Sequence, residues 1–248
     1  MCCFTGPIIK VSTTSIFARE GEGNQQYLAY ALQLNSANEV AMVLPLPVPA
    51  DTPENAVRFI DLSDYSKLFN DLYDMMEFKS LTRGKGLVGG AVAAGVLAVQ
   101  QVGSFEASFV PTIADFSRLD ARFRLPADTW EHLPAYRSFG FAVFKLKAGD
   151  QKIHPMAFSF PRANTDSLFF PTVHIHDGKV HEHADFDHVL FAQVGDRGGT
   201  TDWFESPGYA TGRIDLKRAA GIIADNQHLY CRMLKGKLPN QDTLLTLQ

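Results

Sequence analysis

The chain has 248 residues, 46% of them hydrophobic and 20% charged, with a formal net charge of -4 at pH 7. That is an ordinary globular composition, long enough for a real core. An acidic balance without any dense basic run argues against a nucleic-acid surface. The three cysteines, Cys2, Cys3 and Cys231, are odd in number and two are adjacent, so a disulfide framework is not expected and a reducing compartment is favoured. The first residues carry neither a basic n-region nor a long apolar run, which points to a cytoplasmic protein.

In chain order, residues 8–11, 14–19, 27–34 and 40–46 are apolar or β-branched runs and read as strands. Gly21-Glu22-Gly23-Asn24 and Asn35-Ser36-Ala37-Asn38 separate them as turns, and Pro45, Pro47 and Pro49 end the fourth. A helix is expected next. Ser63 is a plausible N-cap, and Tyr65, Leu68, Phe69, Leu72, Tyr73 and Met76 fall on one helical stripe, a core face rather than a cofactor box. Residues 87–99 are apolar but glycine-rich and short of the ~20 residues a membrane helix needs, so no membrane association is expected.

The middle of the chain reads as a strand over 99–111 and short helices over 114–123 and 128–138. Strands follow over 140–147, 156–160, 168–176, 180–184 and 188–194. The glycine-rich loop 195–201 lacks the strand–loop–helix order and the Lys-Ser/Thr pair of a phosphate cradle, and reads as a plain loop. A final helix is expected over 215–234, with Leu216, Ala219, Ala220, Ile223, Tyr230 and Leu234 as its buried stripe. Its His228 and Cys231, one turn apart, read as a helix-end histidine and a buried thiol rather than as ligands. Strands at both ends with helices between them give an α+β class, a mainly antiparallel sheet with a few packed helices. We expect a single domain over 1–248, with residues 81–95 as the place for any subdivision.

The feature richest in chemistry is His174-Ile175-His176-Asp177-Gly178-Lys179-Val180-His181-Glu182-His183. Asp-Gly between alternating runs is a two-residue hairpin signal. With Asp177 and Gly178 as the turn, His174 faces His181, and all four imidazoles project from one face because strand side chains alternate. Opposed hairpin residues lie about 5 Å apart, so two or three can converge on one ion. Imidazole nitrogen suits zinc and copper. The expected metal ligands are His174, His176 and His181, with His183 next. Candidates to complete the set are His154, Asp185, Asp187, His188 and the N-terminal cysteines. An open site would activate water against a small-molecule substrate; a closed one would be structural or storage. Oligomeric state is not legible.

Met1-Cys2-Cys3 carries a second hypothesis. Removal of Met1 would leave an α-amine beside the Cys2 thiol, a self-contained base and nucleophile. Cys2, with Arg19 at the end of the early strand pair, resembles the N-terminal-nucleophile amidohydrolases of the choloylglycine type over about twenty residues. The resemblance implies Cys2 as nucleophile and Arg19 as its assistant. The family's following Asp is missing here, with Glu20 and Glu22 nearby instead.

A further set of segments is similar to a bacterial family of unknown function. They are the Cys-Phe start, residues 16–19, Val40-Ala41-Met42-Val43-Leu44-Pro45-Leu46-Pro47-Val48, Gln101-Val102-Gly103-Ser104-Phe105-Glu106-Ala107, Phe141-Ala142-Val143-Phe144-Lys145-Leu146-Lys147 and His154-Pro155-Met156-Ala157-Phe158. This similarity spans roughly residues 2–160. It implies a shared fold and brings no activity, cofactor or catalytic residue. The functional expectation is therefore a transition-metal-binding protein, an enzyme on a small molecule if the site is open. The alternatives are a Cys2 amidohydrolase and a non-catalytic metal-binding or protein-interaction module.

Overall fold

A computed structural model describes residues 2–77, 100–175, 179–195 and 202–247. In chain order the strands are β1 (Cys2–Phe4), β2 (Lys10–Glu20), β3 (Gln25–Ser36), β4 (Val40–Leu46) and β5 (Arg58–Asp61). After helix α1 (Leu68–Met75) come β6 (Gln100–Val102), β7 (Phe105–Val110), β8 (Gly140–Leu146), β9 (Gly149–Lys152), β10 (Met156–Pro161), β11 (Ser167–Phe170) and β12 (His174–Ile175). The last are β13 (His183–Gln193), β14 (Phe204–Tyr209), β15 (His228–Pro239) and β16 (Thr243–Thr246).

Two large sheets form. One runs β12-β1-β4-β8-β7-β6; the other runs β14-β15-β13-β2-β3-β10-β5, with β9 also on β3. A small third sheet pairs β11 with β16. Most ladders are antiparallel, but β1 pairs β12 and β2 pairs β13 in parallel, so both large sheets are mixed. The chain is richer in strand than an α+β class implies, 47% strand against 12% helix.

The second sheet is covered on both faces, which explains why β2 reads Ser15-Ile16-Phe17-Ala18 without polar alternation. Ile16, Ala18, Leu28, Tyr30 and Leu190 face the first sheet in the main core. Phe17, Ala29, Ala157 and Phe191 face a second core under α1 and residues 210–223. The helical stripe is borne out as core: Leu68, Phe69, Leu72 and Met76 all join that second core. Tyr73 packs edge-on against Phe191 at 5.1 Å.

Three expectations are corrected here. The helix over 215–234 does not form. Ala220 and Gly221 both take positive φ, 48° and 81°, which breaks any right-handed helix. Beyond them β15 pairs β13 over ten registered residues. Leu216, Ala219 and Ile223 still pack in the second core, but from turns. The helices over 114–123 and 128–138 are short 3₁₀ segments of three to six residues, Ile113–Arg118, Ala121–Phe123, Ala127–Trp130 and Pro134–Tyr136, interrupted by Pro126 and Pro134, which cannot donate to a continuing helix. The strands expected over 180–184 and 188–194 are one strand, β13. The run 87–99, the subdivision near 81–95 and nearly all of the loop 195–201 lie outside the described residues.

Candidate functional site

Residues 167–175 reach the site along a path fixed by three polar side chains, those of Gln26, Asp242 and Asn240. Gln26, fully buried on β3, donates from Nε2 to the Phe169 carbonyl (2.7 Å) and accepts the Phe169 N–H at Oε1 (3.0 Å). One amide side chain thus supplies β11 with the two bonds that a neighbouring strand would give it. Asp242 accepts the N–H groups of Thr172 (2.8 Å) and Val173 (3.1 Å) on Oδ1 and the Tyr136 hydroxyl (2.5 Å) on Oδ2. Burial raises the Asp242 carboxyl above its usual range, and these three donors pull it partly back. Asn240 accepts the His174 N–H at 2.7 Å and donates from Nδ2 to the carbonyls of His174 and His181, each at 2.9 Å.

β12 then lies against β1 in parallel, with Cys2 registered to His174 and Cys3 to Ile175. The His174 ring turns toward β13 and stacks on Phe186 (4.5 Å between centroids). Its Nε2 stands 3.1 Å from Nε2 of His188, one nitrogen donating and the other accepting. The His188 side chain is completely buried, and its Nδ1 lies 3.9 Å from Asp187 Oδ1, beyond hydrogen-bond range. Asp187 Oδ2 accepts the Thr13 N–H at 2.7 Å. Two imidazole nitrogens therefore face each other at one end of the main core, walled by an aromatic ring.

The expected four-histidine hairpin is not the arrangement that brings histidines together. Among the described residues no ladder joins β12 to β13: β12 pairs β1 in the first sheet, while His183 registers with Pro239 in the second. His176 and the Asp177-Gly178 turn lie outside the described residues. His181 and His183 are exposed. The fold couples His174 instead to His188, which the sequence put only among the completing residues. Asn240, Asp242 and Tyr136 were not foreseen. The only signal for them was Pro239-Asn240-Gln241-Asp242, a run of turn-forming residues. Among the described residues no three His, Cys, Asp or Glu side chains already stand together as a metal-holding group.

The remaining candidates lie elsewhere. Arg19 sits in the second sheet, and its guanidinium donates to the carbonyls of Ile222 (2.6 Å), Gly221 (2.5 Å) and Glu20 (2.6 Å) while stacking on Tyr27. It anchors the 221–222 turn, whereas Cys2 lies in the first sheet. His228 and Cys231, three apart on a strand, project to opposite faces; His228 Nδ1 contacts the Ser206 carbonyl at 2.9 Å, and burial pushes the Cys231 thiol up to about 12.

His154 stacks on Phe105 (4.1 Å), and its Nε2 accepts the Ser104 N–H at 3.1 Å in the β6–β7 turn. Gly103 there has φ +57°, and a Cβ on it would meet His154 Nε2 at 2.7 Å. Burial lowers the His154 pKa below 6.5. The unfolded chain therefore takes up this proton first as pH falls, so the contribution is intact above about 6.5 and stability is lost below it. His154→Gln, whose side-chain oxygen can accept the same N–H, is expected to flatten the fall in urea midpoint between about pH 6.5 and 5. An unchanged slope would remove His154 from the acid response.

No helix among the described residues is long and apolar enough to cross a membrane. No family model matches the chain, and no curated protein matches it. Solved structures do. The crystal structure of baculovirus P35 matches with TM-score 0.54 and 12% identity over 99% of this chain and 99% of that one. A mutated baculovirus P35 after caspase cleavage matches with TM-score 0.49 and 11% identity, over 96% and 100%. A chain of the caspase-8/P35 complex matches with TM-score 0.47 and 10% identity, over 95% and 96%. Identity this low says nothing of activity; the first of these matches bears on architecture, and the chain shares its fold with baculovirus P35.

Proposed function

We propose that this chain is a non-catalytic protein-interaction module whose partner is a protease of the caspase class. The observation that carries the reading is the agreement with P35 along 99% of both chains. P35 itself is described in complex with caspase-8 and after cleavage by a caspase. Fold alone does not bring function, so the reading leans also on the sites. Arg19, the assistant of the amidohydrolase alternative, spends its guanidinium on backbone carbonyls. The Asp242 carboxylate is engaged by three donors that hold the segment between β11 and β12 in place. These are the marks of a scaffold rather than of a reaction centre.

Mixing the purified chain with active caspase-8 and resolving the mixture by size exclusion tests this. Co-elution of the two proteins is the expected result. Separate elution at micromolar concentrations, or simple degradation of the chain without a retained complex, would overturn the reading.

A further inference from the structure

We propose that His154 is an acid-sensitive latch: as the neutral ring it pins the β6–β7 turn against the edge of the second sheet, and its protonation releases that turn while both large sheets stay folded. This goes beyond the protease reading and rests on different observations. β6 and β5 are the outer strands of the first and second sheets, and the ring lies where these two edges come together. Gly103 and Ser104 form the two-residue loop between Val102 and Phe105, which are registered to each other. A loop that short takes positive φ at its first residue, and Gly103 has φ +57°. The space beside Gly103 is filled: a Cβ there would meet His154 Nε2 at 2.7 Å, Ser63 Cβ at 2.8 Å and Asp61 Oδ1 at 2.9 Å. The turn is therefore seated among groups from the end of β5 and from the chain just before β10.

The seat depends on one nitrogen without a proton. His154 Nε2 accepts the Ser104 N–H at 3.1 Å, while Nδ1 stands 3.3 Å from the Pro155 carbonyl. A neutral imidazole offers one donor and one acceptor, so these two partners fix the proton on Nδ1. A second proton goes to Nε2 and turns the acceptor into a donor that faces another donor. Little else holds the turn. β6 lies at the end of its sheet and pairs β7 over three residues, two of them exposed on β6, whereas β7 is held by β8 over five. The part able to open is thus β6 with its turn. The charged group facing the ring is the Asp61 carboxylate, whose Oδ1 accepts the Ser63 N–H at 2.8 Å. Glu106, the next charge along β7, turns to Lys145 at 3.3 Å. Burial opposes the imidazolium more than the Pro155 carbonyl and Asp61 favour it, which holds the closed ring below 6.5. Opening lets the ring titrate near its ordinary value of about 6.5, so acid favours the open form.

Residue-resolved hydrogen exchange at about pH 7.5 and about pH 5.5 tests the latch. In wild type the protection factors of the Ser104 and β6 amides are expected to fall about 5–10-fold over that range, because the opened ring binds the extra proton. The β4–β8 ladder should keep its protection. His154→Gln supplies an acceptor that does not titrate, and its turn should be equally protected at both pH values. If His154→Gln does not fold, Asp61→Asn decides the matter: Asn still accepts the Ser63 N–H but no longer favours the imidazolium, so the fall should be steeper than in wild type. Protection at Ser104 that does not change with pH overturns the proposal, as does a fall shared equally by β4 and β8. So does a fall that persists in His154→Gln, or one that is unchanged or shallower in Asp61→Asn. None of these results bears on protease binding.

Discussion

Asp242→Ala is expected to lower stability by about 3–5 kcal/mol, because it strands the buried N–H groups of Thr172 and Val173 and the Tyr136 hydroxyl without their common acceptor. An orphaned buried donor costs far more than an average hydrogen bond returns. Asp242→Asn keeps the Oδ1 acceptor for both backbone groups and is expected to lose only about 1 kcal/mol. The two variants also differ in pH response. Burial raises the Asp242 pKa above 3.8, so the native state binds this proton more tightly than the unfolded chain. Stability from this group is fully present below about 3.8 and declines as pH rises through the native pKa. The Asn variant lacks that decline and should gain on wild type between about pH 4 and 7. Urea denaturation of the three proteins at both pH values measures this; equal losses for Ala and Asn would show that the carboxylate's acceptor role is not what matters.

Gln26→Ala is the second large effect, about 2–4 kcal/mol, since it removes both partners of the Phe169 backbone in a fully buried setting. Gln26→Glu should be nearly as harmful, because an ionised carboxylate accepts from the Phe169 N–H but cannot donate to its carbonyl. Hydrogen exchange should locate the damage. Amides of β11 and of residues 172–175 are expected to exchange faster in Gln26→Ala, while β4 and β8, paired in the first sheet over seven registered residues, keep their protection. Uniform loss across both sheets would mean that Gln26 supports the whole core rather than this segment.

The parts of the fold visible in the sequence are those decided by local pattern. Val40-Ala41-Met42-Val43-Leu44-Pro45-Leu46 is an unbroken apolar run stopped by prolines, and β4 covers those same residues. The 3.6-residue spacing of Leu68, Phe69, Leu72 and Met76 marks α1 and its buried face. The errors fall where distant pairing decides. Ala219 and Ile223, both buried, and the half-buried Leu216 are spaced as for a helix, but Arg19 holds the carbonyls of Gly221 and Ile222 in a turn, and β13 draws residues 228–239 into a ladder.

The histidines show the same limit. Alternation around Asp177-Gly178 promised a local hairpin, yet β12 takes its partner from β1 at the opposite end of the sequence. No local pattern announces a parallel contact between residues so far apart. In the sequence His174 belongs to the histidine-rich run and His188 lies outside it, because their meeting depends on how two sheets pack. Asn240 and Asp242, which hold the segment in place, have no periodicity to betray them; a polar residue in a turn looks the same whether it faces solvent or closes a core.

The most direct test of the central reading is a binding titration of immobilised chain with active caspase-8 by biolayer interferometry. A saturable isotherm with a Kd of about 1 µM or tighter, roughly 8 kcal/mol of association free energy, is the expected result. The absence of any saturable response at concentrations ten times higher would contradict a caspase-class partner and leave the shared architecture without a shared role.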